Sequence, residues 1–316
     1  MSQPSSKPND AGEESERGFI LVAVLWILSA LAVLSAVYSL YVSNAAVAAH
    51  VTDDGVNAEA AVRAGVELAA YELTAAPESS GSAQLTAAPG SSRPAQGGFA
   101  FRLGRSRIKV SFIAEGARID LNAAPKKLLV GLFEAIGAKP DDADTFADRV
   151  VGWRKKADGE GQDAEAEIYK SEGYSYAPRE APFQNTLELS LVAGIPKHII
   201  ERILPLVTVY SGQAQIDVRV ASPEVLAALP GMTPDVLRQV LAQRAKGTND
   251  GESLLNLLGP ARSNASVTPS KATRVLINVR LGNGRDVFAE VVIVTLQNDD
   301  EPFRVLSWRD DIDGPL

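Results

Sequence analysis

The chain has 316 residues, 46% of them hydrophobic, and carries a formal net charge of −8. That balance argues against a nucleic-acid partner, because binding phosphate needs a basic face. The absence of cysteine removes disulfides and thiolate chemistry.

Residues 1–18 are rich in Ser, Pro, Asn, Asp and Glu and are expected to lack regular structure. They contribute −2 to the net charge, Lys7 and Arg17 standing against Asp10, Glu13, Glu14 and Glu16. From Phe19 to Val42 follow 24 residues without a charge, and the next acidic residue is Asp53. About 20 apolar residues span a bilayer core as a helix. A cleaved secretory signal fits less well, since its apolar stretch is shorter and its leader basic. Arg17 abuts the run and no Lys or Arg follows before Arg63, which places the N-terminus in the cytoplasm.

The helical pattern continues beyond the run. Val56, Ala60, Ala64, Leu68 and Tyr71 recur at spacings of four, four, four and three, and no proline falls between Phe19 and Ala76. The expectation is one helix of about 55 residues, roughly 80 Å long at 1.5 Å per residue. Its first half lies in lipid (19–42) and its second half (43–76) packs on a soluble domain.

Residues 77–98 read as an exposed loop. Phe99–Leu103 and Ile108–Ile113 alternate apolar with polar residues, as strands do. The tail has the same character: Val275–Leu281 and Val287–Leu296 flank Gly282-Asn283-Gly284 as a hairpin, and Phe303–Trp308 forms a further strand. Between these strand regions, residues 119–272 read as helical and partly repetitive. Ile119-Asp-Leu-Asn-Ala-Ala-Pro resembles Ile216-Asp-Val-Arg-Val-Ala-Ser-Pro at an offset of 97. In each copy an extended piece leads into a helix with proline near its start. Leu189-x-x-Val192-Ala-Gly194 and Leu226-x-x-Leu229-Pro-Gly231 share a second pattern, a glycine supplying the left-handed turn between helices. Leu229–Arg244 also looks like a helix-hairpin-helix module, which presents backbone N–H groups to DNA phosphates. A tight inter-helix turn is the plainer reading.

Catalytic patterns are missing. The two histidines, His50 and His198, are far apart in sequence, and no HExxH, GxSxG or Walker-type loop occurs. This argues against an enzyme. The one cluster with ligand character runs from Asp158 through Glu160, Asp163 and Glu165 to Glu167, where carboxylates interrupted by glycines could wrap a calcium ion. It lacks the EF-hand spacing, and a solvated acidic loop explains it as well.

Taken together, Arg17-Gly18-Phe19-Ile-Leu-Val, Ile119-Asp-Leu-Asn122-Ala-Ala, Trp153-Arg154, the acidic loop to Tyr169, Phe183–Ile195 and Thr208-Val-Tyr-Ser211 resemble the general secretion pathway protein K family, minor pseudopilins of the type II secretion system. The resemblance implies an α+β, pilin-like fold: a long N-terminal helix packed on a small antiparallel sheet, with a large α-helical, SAM/helix-hairpin-helix-like domain (119–272) inserted between strands. Flanking it would be the first strands (77–118) and the C-terminal strands (273–316) of the pseudopilin domain. Residues 1–18 would be a prepilin leader, cut between Gly18 and Phe19 by the prepilin peptidase, with N-methylation of Phe19. The fifth mature position is Ala23, where ordinary pilins carry a glutamate that pairs with a neighbour's N-terminal amine. Its absence suits a tip subunit, with nothing above it to pair with.

The implied role is non-enzymatic. The protein would join minor pseudopilins I and J and the major pseudopilin, and prime a pseudopilus that exports folded periplasmic proteins. It would sit in the inner membrane as a single-pass protein with a periplasmic body. Calcium is associated with the family's acidic loop, which makes Asp158, Asp163, Glu165 and Glu167 candidate ligands. Lys155 departs from that pattern by standing where the family commonly has aspartate. Two other readings stay open: a membrane-tethered helix-hairpin-helix DNA-binding protein of competence type, and an unprocessed anchored periplasmic domain.

Overall fold

The structure, a computed structural model, describes residues 11–74, 94–156, 164–246, 251–296 and 301–310. The chain divides into two compact units, Met1–Glu59 and Ala60–Leu316. Helix α1, Ala11–Thr74, contributes to both. It starts earlier than expected, so residues 11–18 are helical rather than irregular. No proline follows Pro8 in this stretch, and Glu13, Glu14 and Glu16 lie in the first turns, where carboxylates favour a helix.

In the second unit, β1 (Gln96–Leu103), β2 (Ser106–Ala114), β7 (Ala272–Arg280), β8 (Asp286–Thr295) and β9 (Phe303–Asp310) form one five-stranded sheet in the order β1-β2-β7-β8-β9. Each neighbouring pair is antiparallel. The expected hairpin is present: at the β7–β8 turn the Leu281 N–H donates to the Arg285 carbonyl at 2.9 Å, and Gly284 takes a positive φ of 88°.

Strand alternation sends Val110, Val275, Ile277 and Val291 to one face, all of them buried. The α1 residues Ala61, Val62, Val66, Ala69, Ala70 and Leu73 are buried at helical spacing. Gly65 lies within the same stripe, and a Cβ there would stand 3.3 Å from the side chains of Ile277 and Val110. Small residues thus let the helix lie close on the middle of the sheet.

Between Ala114 and Ala272 the chain leaves the sheet to build a helical body with its own apolar core. The internal repeat seen in the sequence is a structural repeat. In the first copy, β3 (Ile119–Asp120) leads to α2 (Lys126–Ala135) and α3 (Pro140–Arg154), then α4 (Ala164–Ser171) and α5 (Lys197–Ile203). The copy closes as β4 (Val207–Thr208) pairs in parallel with β3. In the second, β5 (Ile216–Asp217) leads to α6 (Pro223–Ala227), α7 (Pro234–Ala245) and α8 (Gly251–Leu257), and β6 (Ala265–Ser266) pairs in parallel with β5.

The two copies agree bond by bond. The Leu121 N–H donates to the Thr208 carbonyl at 2.8 Å, and the Val218 N–H to the Ser266 carbonyl at 3.0 Å. Ala124 donates to the Asp120 carbonyl and Ala221 to the Asp217 carbonyl. Gly194 and Gly231 take the left-handed conformation their pattern predicts, at φ 76° and 83°.

Helix α2 and the end of α6 meet where Gly131 rests on the Ala228 carbonyl, with no room for a Cβ. Gly131→Ala is therefore expected to destabilise the body by about 1–3 kcal/mol. Gly55→Ala in α1, where a Cβ meets no described atom within 4 Å, should stabilise by up to about 1 kcal/mol through helix propensity. Urea unfolding of the two variants checks the opposite signs.

Candidate functional site

Gly18 and Phe19 lie within the backbone of α1; their side chains are outside the described residues. The candidate membrane span is Leu21–Ser43, 23 residues with mean hydropathy 2.4 and none of them buried in the chain. That length, about 35 Å of helix, matches a hydrocarbon core of about 30 Å. Within it the Ser29 hydroxyl donates to the Leu25 carbonyl at 2.8 Å, the internal satisfaction a polar group needs in lipid. Ala23 lies inside the span and brings no charge to it.

Buried side chains form a bonded network at the joint where the helical body grows from the sheet. Glu115 follows directly on β2, and its side chain is fully buried. The Arg274 guanidinium on β7 donates to it at 2.6 and 3.3 Å. The Thr208 hydroxyl on β4 also donates to it, and Arg118 lies 3.4 Å away. Arg274 donates in turn to Glu290 on β8 at 2.6 Å, and Arg309 on β9 reaches the same carboxylate at 3.4 Å. Nearby the Gly116 N–H donates to the Ser270 hydroxyl at 3.0 Å, which donates to the Ala272 carbonyl at 2.7 Å. The outgoing and returning chains are thereby joined.

The electrostatics follow from burial. Burial, then the neighbouring Arg274, lowers the pKa of Arg118, with Glu115 and Glu290 opposing. For Arg274 burial is likewise the largest single effect and would lower its pKa, but Glu115 and Glu290 together outweigh it and hold it above the usual value.

The residues that carry the family resemblance form a connected internal scaffold. Asp120 accepts from the backbone of Asn122 at 2.8 Å and Ala123 at 3.2 Å, and from Ser211 and Gly212 at 3.0 and 2.7 Å. Asn122 exchanges two hydrogen bonds with the backbone of Phe183, at 2.9 and 2.7 Å. Trp153 sits between the Tyr169 and Phe183 rings, each at 6.1 Å, and its indole N–H donates to Glu188. Arg154 donates to the carbonyls of Leu121 and Ala124. Arg244 repeats this in the second copy by donating to Ala221 at 2.6 Å. Arg244, the last residue of the helix-hairpin-helix-like stretch, is thus turned into the protein rather than outward. The Tyr169 hydroxyl accepts from the Ala193 N–H at 3.0 Å, and burial pushes its pKa up to about 12.

The acidic loop is only partly described. Asp158 and Asp163 lie outside the described residues. Glu165, in the first turn of α4, accepts from Arg149 at 2.9 Å and rests on Gly152, where a Cβ would come within 2.6 Å of its carboxylate. Glu167 is half exposed, with Lys170 at 3.7 Å. Residues two apart on a helix do not share a face, so Glu165 and Glu167 do not converge. Among the described residues no group of three His, Cys, Asp or Glu could hold a metal. The described half of the loop does not by itself make a calcium cradle.

The sequence reading missed the joint, although it left a mark. Arg274 and Glu290 are ionisable residues set inside two apolar strands, and Glu115 ends a third. Removing one partner of such a buried pair costs about 3–5 kcal/mol, because the other charge is left behind. Glu115→Ala should show that loss as a shift in urea midpoint. Glu115→Leu combined with Arg274→Met should cost less than the two single changes summed.

Residues 110–212 match the family model of type II secretion system protein K. The match covers the end of β2, the Glu115, Arg118 and Thr208 side of the joint, and the first copy of the repeat. A chain in the crystal structure of the GspK–GspI–GspJ complex from the enterotoxigenic Escherichia coli type 2 secretion system shares the fold, with a TM-score of 0.56 at 16% identity. The alignment covers 83% of this chain and 97% of that one. No curated protein matches in sequence.

Proposed function

We propose that the chain, whose residues 110–212 match the family model of type II secretion system protein K, works as a non-enzymatic minor pseudopilin at the tip of the pseudopilus. The carrying observation is one combination: the matched region, grown out of a helix-backed antiparallel sheet, following in sequence an apolar helix long enough to cross a membrane. The span anchors the subunit in the inner membrane, with its N-terminus in the cytoplasm and the body in the periplasm. The prepilin peptidase cuts between Gly18 and Phe19, and Phe19 is then N-methylated. By analogy with the GspK–GspI–GspJ complex, the subunit assembles with I- and J-type minor pseudopilins and primes growth of the major pseudopilin. The missing carboxylate at Ala23 supports a place with no subunit above it, since a lone buried carboxylate in lipid is costly.

A DNA-binding role is less well supported. Arg244 is committed to the Ala221 carbonyl, and Arg238 is paired with Asp235. The deciding measurement is the N-terminus of the protein isolated from membranes. An N-methylated Phe19 is the expected result; an intact Met1, or cleavage near Ala45–Ala49, removes the pilin reading. Gly18→Leu should accumulate the unprocessed form.

A calcium ion at the acidic loop is a secondary proposal. It rests on Asp158 and Asp163, together with Glu165 exchanging Arg149 for the ion. Calorimetric titration of chelator-treated protein with calcium tests it, and the absence of both heat and a change in melting temperature would remove it.

A further inference from the structure

The sheet face turned away from α1 carries a row of cations with a single carboxylate among them. Arg102, Arg107 and Arg280 stand directly opposite one another on β1, β2 and β7, so their side chains share one face. All three are exposed. Arg280 has Asp286 at 2.7 Å. Among the described residues Arg102 and Arg107 have no carboxylate partner. Lys109 lies on the same face one row inward, opposite Asn278. The two hairpin tips beyond the row touch, a Cβ on Gly282 standing 2.9 Å from the Arg105 side chain. On this face Arg102, Arg107, Arg280 and Lys109 thus meet one exposed carboxylate, Asp286, in a chain whose net charge is −8.

Like charges directly opposite across strands destabilise a sheet, so this row works against the fold. It borders a shallow groove of about 140 Å³ whose lining includes Lys109, Ser111, Leu276, Asn278 and Phe288. A basic rim beside an apolar floor is the complement of an acidic segment with an apolar side chain among its carboxylates. The cations stand about 5 Å apart across the strands, which matches carboxylates spaced along one helix face.

We propose that this open sheet face docks an acidic segment of a neighbouring subunit in the assembly. The inference rests on the pseudopilin reading above and adds the surface and its chemistry. A row kept for binding makes a signed prediction at Arg107, which stands between two like charges. Arg107→Glu should raise the melting temperature, by turning two repulsions into attractions, and should weaken docking about tenfold or more.

The experiment uses the full chain, co-expressed with the two partner subunits proposed above and held in phosphatidylcholine nanodiscs, which lack anionic lipid. Wild type should retain a partner, with retention falling as salt rises. Arg107→Glu should fold, melt higher and lose that retention. Failure of wild type to retain either partner counts against the pseudopilin reading itself. Retention by Arg107→Glu with unchanged salt dependence overturns the docking face, as does a lowered melting temperature that alone explains the loss. Retention that ignores Arg107 but rises when residues 311–316 are removed also overturns it, because the chain's own Asp311 and Asp313 would then be the anions served. Retention that appears only when anionic lipid is added assigns the row to headgroups and overturns it too.

Discussion

The buried carboxylate of Glu115 is the constraint on which the second unit depends. The chain leaves the sheet after Ala114 and returns at Ala272, so a large helical body hangs from two adjacent strand ends. Apolar contacts hold such a body but are non-directional. Charge-assisted bonds fix an angle. Glu115 is gripped by Arg274 from the sheet and by Thr208 from the closing strand of the first repeat. A single side chain therefore ties the entry to the body, its closing strand and the sheet. Buried ion pairs contribute little net stability over an apolar replacement. What this one supplies is a defined orientation of the helical body on the sheet.

The same logic operates inside the helical body on a smaller scale. Each copy of the repeat closes a parallel pair of two-residue strands, too short to hold by ladder bonds alone. An arginine at the end of a later helix, Arg154 or Arg244, stitches the turn beyond the first strand. Burial lowers the pKa of both, and the aspartate of the turn, Asp120 or Asp217, opposes the shift in each case. The copies then diverge where they serve different neighbours. Asp120 reaches across to Ser211 and Gly212, binding the link between the copies. Asp217 pairs with Arg219 inside its own turn, at 2.9 and 2.6 Å.

What was legible in the sequence is what local patterning controls. The five long strands, the Gly282–Gly284 hairpin, the continuous α1 and the left-handed glycines announce themselves within a few residues. The offset of 97 exposed the repeated Ile-Asp turns, but not the arginines that complete them. Helices α2 and α3 have 10 and 15 residues where α6 and α7 have 5 and 12, so Arg154 and Arg244 fall at an offset of 90 and escape a fixed-period comparison. The two-residue strands were illegible for another reason, because each pairs with a partner dozens of residues away. The acidic N-terminal stretch read as irregular from its composition, yet residues 11–18 are helical because acids and small residues without proline extend a helix that the apolar run already continues. The acidic loop was read by composition alone. Geometry separates Glu165, turned inward to Arg149, from Glu167, turned outward, a distinction spacing could have suggested but composition could not.

The open face of β7 shows how one residue type serves two ends. Strand alternation places Arg274, Leu276, Asn278 and Arg280 on the same side of the sheet. At the root of the helical body, Arg274 is covered and must be neutralised, so two carboxylates surround it. At the far end Arg280 is exposed, and water screens the charges beside it. Screening is why the fold tolerates Arg102 and Arg107 next to Arg280. A partner that excluded that water would strengthen every charge in the row. It would then have to bring the carboxylates that Glu115 and Glu290 supply to Arg274.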